Sequence, residues 1–303
     1  MASLLRMVLA FALVCDVFPA FAMDHFANRP DFELMQYAAK EENSSYASYR
    51  VKLKVALDKP LFINFLFYRS KGVAEMQKKP LVMIFSNIAG VSMIEKWFAH
   101  YFASHGMHVA LSHCSEHESI THIDETNESA IRTLLAGFAL TDFSIKINDV
   151  DPKKIGLLGI SFGGIRGLYQ IGFDSRIKAG AFIVAGGPIQ DIMAYSKQIV
   201  AKRIRDRQMH DARMSSVSEY LHFLDTHIEL DLNTALAKRS SKDFYLFISA
   251  SDSWVPSHYQ WKIWSQLGHP RFERYPLGHL TTPLWVAMTR KREILEFFNG
   301  RWK

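Results

Sequence analysis

The six residues Gly159-Ile160-Ser161-Phe162-Gly163-Gly164 constrain this chain more than any other stretch. Ahead of them stand Asp151-Pro152-Lys153-Lys154 and the apolar run Ile155-Gly156-Leu157-Leu158, and behind them residues 165–171 read as a helix. The pattern is strand, abrupt turn, helix, with a serine at the apex. A glycine-x-serine-x-glycine sequence in that setting is an elbow that presents a serine hydroxyl as a nucleophile. The glycines have a steric reason. A serine on so sharp a turn has strained backbone angles, and side chains two positions to either side would strike the adjoining strand or helix. Gly159 and Gly163 remove those collisions. The following helix points its positive N-terminal end at the place where an oxyanion would form. A plain β-α turn that happens to hold a serine is the alternative, and the strand and helix around the motif argue against it.

Around this elbow the chain alternates strands and helices. Residues 50–57 alternate polar and apolar side chains and 61–68 form a second strand, together an antiparallel hairpin at a sheet edge. Residues 81–85 are wholly apolar, as a buried parallel strand is. A helix at 93–104, a strand at 107–111 and a long helix at 125–144 follow. Strands at 155–160, 179–184, 244–249 and 272–277 and a closing helix at 285–298 complete the series. Such alternation implies an α/β fold, a doubly wound, mostly parallel sheet. Residues 188–242 break the rhythm. They show no strand pattern, and Ile192, Tyr195, Ile199, Leu221 and Leu224 fall at amphipathic helical positions. They read as a helical cap inserted into a core formed by 47–187 and 243–303. A cap beginning at the carboxyl ends of the strands would shape a ligand pocket; a decoration over the sheet edge is the plainer alternative.

At 303 residues the chain has room for one large α/β domain or two small ones, and 49% hydrophobic against 22% charged residues supplies a substantial core. The N-terminus reads differently. Arg6 precedes an apolar run at 7–14, and Ala20-Phe21-Ala22 matches a cleavage pattern, so residues 1–22 read as a secretory signal peptide and the protein as secreted or periplasmic. Asp16 and Pro19 interrupt the run, which is shorter than the roughly 20 residues a membrane span needs. Val14 is a poor residue ahead of a lipid-carrying Cys15. Cleavage would leave Cys114 as the only cysteine, with no internal disulfide. Residues 23–46 read as a polar, irregular leader packed on the surface. The net charge of +6 favours an anionic surface or substrate, including contact with an anionic membrane surface. No zinc-finger spacing or long basic block is present, so no nucleic-acid partner is expected.

A serine hydroxyl needs a base to take its proton, and that base needs an orienting acid. Asp252 follows the strand at 244–249, ahead of a helix that Pro256 can open. Gly278-His279 follows the last strand. Each could be an ordinary loop residue, in a chain with 13 histidines. Both standing at the right places relative to Ser161 makes coincidence a poor account.

With these residues in view, the sequence resembles the α/β-hydrolase superfamily, in particular its dienelactone hydrolase and esterase or acyl-hydrolase branches. The resemblance rests on Asp151-Pro152, Ile155-Gly156-Leu157, the elbow, Asp252 with Val255-Pro256, and Gly278-His279, and covers roughly 50–298 without the cap. It implies Ser161 as nucleophile, His279 as general base and then acid, and Asp252 as orienting carboxylate. It also implies an oxyanion hole from the backbone N–H of Phe162 and one from the loop Ser86-Asn87-Ile88-Ala89-Gly90. Alignment selects Ile88, with Asn87 or Ala89 as alternatives, and many relatives carry His-Gly where this chain has Ser86-Asn87. The implied substrate is a small-molecule acyl ester, with no cofactor. A serine peptidase or acyltransferase would use the same triad, and a non-catalytic binding protein could share the fold. His113, Cys114, Glu116, His117, His122 and Asp124 form a polar loop cluster without metal-ligand spacing, so no metal is expected. Cys114 lacks an elbow of its own.

Overall fold

Nine strands form one sheet in a computed structural model that describes residues 29–71, 77–113 and 122–303. They are β1 (Phe32–Glu42), β2 (Tyr46–Val55), β3 (Leu61–Ser70), β4 (Lys79–Phe85), β5 (His108–Ser112), β6 (Val150–Ile160), β7 (Ile177–Ile183), β8 (Phe244–Ser249) and β9 (Arg271–Tyr275). Their order across the sheet is β1-β2-β3-β5-β4-β6-β7-β8-β9. The pairs from β1 through β3 to β5 are antiparallel, and those from β5 to β9 are parallel. This is the expected α/β architecture.

The helices are α1 (Met93–Ser104), α2 (Thr126–Ile145), α3 (Phe162–Phe173), α4 (Ile189–Tyr195), α5 (Ile199–Asp211), α6 (Val217–His227), α7 (Leu232–Leu236), α8 (Ser257–Gln266), α9 (Thr281–Thr289) and α10 (Lys291–Arg301). Successive residues of the buried strands serve opposite faces of the sheet. Leu81, Met83 and Phe85 of β4 join the core under α2, α3 and α8, while Val82 and Ile84 join the core under α1, α9 and α10. Phe98, Phe102 and Phe298 are fully buried on that second face. Burial of each such ring stabilises the fold by about 1.5–3 kcal/mol. Residues 189–236 carry α4 to α7 with short turns between them, and Tyr220, Leu224 and Leu232 bury into the first core.

Two readings of the sequence need correction. Residues 32–42 are not irregular: they form β1, and the hairpin of β2 and β3 is therefore not the sheet edge. An edge strand pairs through its backbone while leaving its side chains in solvent, so no alternation marks it. Leu34, Met35 and Tyr37 are all exposed. The closing helix is two helices, α9 and α10, broken at Arg290 with φ −124° and ψ 8°. No glycine or proline marks this break. Arg290 leaves the helix with its Nε donating to Glu273 of β9 at 2.7 Å. Residues 1–22, read above as a signal peptide, lie outside the described residues. No helix among the described residues is long and apolar enough to cross a membrane.

The order β5-β4-β6 sets the position of the site. From β4 the chain goes to β5 on one side and then returns to β6 on the other. The crevice outside the carboxyl ends of β4 and β6 is therefore the topological switch point, where open α/β sheets bind ligands. Phe85 pairs with Gly159 at that edge.

Candidate active site

Ser161 stands at the tip of β6 with φ 56° and ψ −123°, in the strained region that the elbow requires. Its N–H donates to the Ile183 carbonyl at 2.9 Å, and its own carbonyl accepts from Gly164 and Ile165 to start α3. The glycine argument acquires distances. A Cβ on Gly159 would lie 2.5 Å from the Gly164 Cα, and one on Gly163 would lie 2.0 Å from the Phe85 carbonyl oxygen. Strand, turn and helix can close this tightly only without those side chains.

The structure brings the three sequence-predicted residues together. Ser161 Oγ lies 2.7 Å from His279 Nε2, and His279 Nδ1 lies 2.7 Å from Asp252 Oδ2. Asp252 and His279 are both buried, at 7% and 8% exposure, so their attraction is only weakly screened. Trp254 covers the imidazole, with ring centres 4.9 Å apart. The carboxylate is over-determined. Its Oδ1 accepts the N–H groups of Trp254 and Val255 at 2.8 and 3.0 Å, and its Oδ2 accepts Gln260 Nε2 at 3.0 Å. A carboxylate so donated to must accept from imidazole Nδ1–H, which leaves the Nε2 lone pair toward the serine.

Gln260 belongs to no motif in the sequence. It is 1% exposed on α8, and its oxygen accepts the Ser249 N–H while its nitrogen also donates to the Val255 carbonyl. A polar residue on the buried stripe Tyr259, Gln260, Ile263 was the available signal.

Phe162 opens α3, and Ile88 lies in the turn after β4; both line one cavity. Glu95 of α1, fully buried, organises that turn. Its carboxylate accepts Asn87 N–H at 3.2 Å, Asn87 Nδ2 at 2.9 Å and Ser92 N–H at 2.9 Å, and bonds the Ser92 hydroxyl. The sequence Ser92-x-x-Glu95 is a capping box, a signature of a helix start. His113 packs its ring against Gly90 of the same turn. Cys114, Glu116 and His117 lie outside the described residues. His122 caps a short turn at Ile123–Glu125 that includes Asp124. Among the described residues no three His, Cys, Asp or Glu side chains converge on a metal position.

The cavity measures about 120 Å³ and is lined by Ile88, Phe162 and residues of α2, α3, α4 and α5. Ile192 and Met193 of α4 and Ile204 of α5 form part of its wall. The segment α4 to α6 is tied to its neighbours at two places. Lys197 N–H donates to Ser253 O at 3.0 Å beside Asp252, and Tyr220 donates to Gln208, which donates to Thr126 of α2.

Sheet order, elbow and crevice define a protein of the α/β-hydrolase fold. Solved structures with this fold include an acetyl xylan esterase from Paenibacillus sp. R4, at 13% identity over 93% of this chain and 92% of that one, with a TM-score of 0.69. Acetyl xylan esterase 1 from Thermoanaerobacterium sp. JW/SL YS485 is similar at 14% identity, 95% and 93% coverage and a TM-score of 0.66. An acylaminoacyl peptidase from Pyrococcus horikoshii is similar at 14% identity, over 88% of this chain but 49% of its own, with a TM-score of 0.55. At these identities the likeness is one of fold. No protein-family model matches the sequence, and no curated protein matches it.

Proposed function

We propose that the chain is a serine hydrolase that cleaves a carboxylic ester through an acyl-enzyme. The observation that carries this reading is the unbroken line of short contacts from Ser161 Oγ through the His279 ring to Asp252 Oδ2, each 2.7 Å. In this reading His279 Nε2 takes the Ser161 proton as Oγ attacks the acyl carbon. The Asp252 carboxylate stabilises the imidazolium that results. Nε2–H then protonates the departing alkoxide, and the acyl group stays on Ser161. Water, deprotonated by His279, attacks the acyl carbon, and the proton returns to Ser161 as the acid leaves.

The oxyanion of each tetrahedral intermediate is held by the N–H groups of Phe162 and Ile88. Other bonds support the choice of Ile88. Asn87 N–H is given to Glu95, Ala89 N–H to the Asn87 side chain at 2.8 Å, and Gly90 N–H to Asn87 O at 3.0 Å. Each well-placed donor lowers the barrier by about 3 kcal/mol. The cap acts as the roof of the acyl pocket, and the signal-peptide reading puts the mature enzyme outside the cytoplasm.

The test is a panel of nitrophenyl esters of rising chain length run beside peptide amides on the same preparation. Turnover of esters with negligible amide cleavage is expected. Faster cleavage of amides would move the assignment to a peptidase, and transfer of the acyl group to an added alcohol in preference to water would move it to an acyltransferase.

A further inference from the structure

The cavity that Phe162 lines is walled mostly by apolar side chains, with the hydroxyls of Thr126, Ser129 and Thr133 on α2 and one strip of α3 as the polar exceptions. Arg166 and Gln170 lie one helical turn apart on that strip, and both line the cavity. They are 8% and 1% exposed. Nε and Nη1 of Arg166 have no hydrogen-bond partner, nor have the nitrogen and oxygen of the Gln170 amide. The guanidinium carbon stands 5.0 Å over the Phe85 ring, a contact that attracts the cation and satisfies none of its N–H groups. No aspartate or glutamate is among the residues that line the cavity.

A guanidinium keeps its charge in a protein interior, and a buried cation normally has an anion beside it. Buried polar side chains are nearly always bonded, and an exception calls for an explanation. Here two exceptions share one helix face, in a cavity that Phe162 and Ile88 also line. A leucine and a methionine at these positions would fill the same wall without the desolvation cost. The arrangement is explained if the missing partner arrives with the substrate.

We propose that the cavity receives an acyl chain ending in a carboxylate, so that the preferred substrate is a half-ester of a short dicarboxylic acid. The proposal rests on the hydrolase reading and specifies its acyl group. Arg166 neutralises the distal carboxylate, and the Gln170 amide donates to it. Size sets the limit on chain length. A cavity of about 120 Å³ is of the order of one that takes a benzene ring. Phe162, which opens α3, and Arg166 are four residues apart, about 6 Å along the helix axis. Both suit a succinyl or glutaryl group and exclude a long fatty chain.

The experiment compares the nitrophenyl half-ester of glutaric acid with the same compound methylated on its distal carboxylate, using the full-length chain. Wild type is expected to favour the half-ester in kcat/KM by about tenfold or more, the usual effect of one charged hydrogen-bonded contact. Arg166→Met is expected to bring that ratio to about one or below. Equal or better use of the methylated compound by wild type would overturn the proposal and leave the hydrolase reading standing. Glutarate binding, measured calorimetrically on wild type and Ser161→Ala, separates the two ideas. If neither ester is cleaved, the hydrolase reading falls. Glutarate binding that Arg166→Met weakens at least tenfold would then still support the anion site, and absence of binding would overturn that too.

Discussion

Alanine at position 163 tests the steric logic of the elbow. The new Cβ would lie 2.0 Å from the Phe85 carbonyl oxygen and 2.5 Å from that of Ser86. Real Cβ contacts essentially never fall below 3.0 Å, so either the end of β4 or the start of α3 must recede by about 1 Å. Both neighbours are backbone, and no rotamer change relieves them. Overpacking of this kind costs about 1–3 kcal/mol of stability. The displaced strand end leads straight into the turn that carries Ile88, and the displaced helix carries Phe162 beside Ser161. A shift of about 1 Å in reacting groups costs on the order of a hundredfold in rate. Gly163→Ala should therefore lower the urea midpoint and cut kcat on a short nitrophenyl ester about a hundredfold. Gly300→Ala is the control. It meets nothing within 4 Å and should be neutral or add up to about 1 kcal/mol. A Gly163→Ala protein with wild-type midpoint and wild-type kcat would refute the argument.

Three further outcomes follow from buried polar groups. Gln260→Leu removes a donor to Asp252 and strands the Ser249 N–H, which should cost about 1–3 kcal/mol in urea unfolding and lower kcat more than it changes KM. Glu95→Gln loses an acceptor in the turn after β4. It should lower kcat and weaken a phosphonate transition-state analogue in parallel, since both depend on the Ile88 N–H; unchanged analogue affinity would count against that role. His108 governs an acid-side stability loss. Burial lowers its imidazole from the ordinary 6.5 to about 4, against the opposing pull of Asp149 and with Lys79 and Arg69 adding to the lowering. Its Nδ1 accepts the Ser70 N–H, so the folded ring is neutral. Between those values the unfolded chain binds the extra proton, so stability rises with pH there. The contribution is complete above about pH 6.5, is lost as the pH falls through about 4, and amounts to at most about 3 kcal/mol. Urea midpoints across this range should show the slope, and His108→Asn should flatten it.

Much of this arrangement is legible in the sequence because particular residues have few alternatives. The elbow needs Gly159 and Gly163 where backbones touch, and those needs are written as glycines. Buried parallel strands are apolar on both faces, and β4 and β8 are plain as runs. The edge strand β1 lacks such a signature because solvent takes most of its side chains. The break at Arg290 is set by a partner on β9, far away in sequence. Gln260 and Arg166 were visible as polar residues in buried stretches. What each does depends on neighbours from other elements, Asp252 for the first and the cavity wall for the second. The strand ends at Asp252 and His279 were readable by position, whereas the 2.7 Å contacts depend on the sheet's order.

The central claim is that the His279–Asp252 pair makes Ser161 a nucleophile. Labelling with a fluorophosphonate, followed by intact mass and peptide mapping, tests it most directly. The account predicts one adduct per chain, on Ser161, absent from Ser161→Ala and much slower in His279→Ala. A wild-type protein that stays unlabelled while folded, or a Ser161→Ala protein that labels at the wild-type rate, would contradict it.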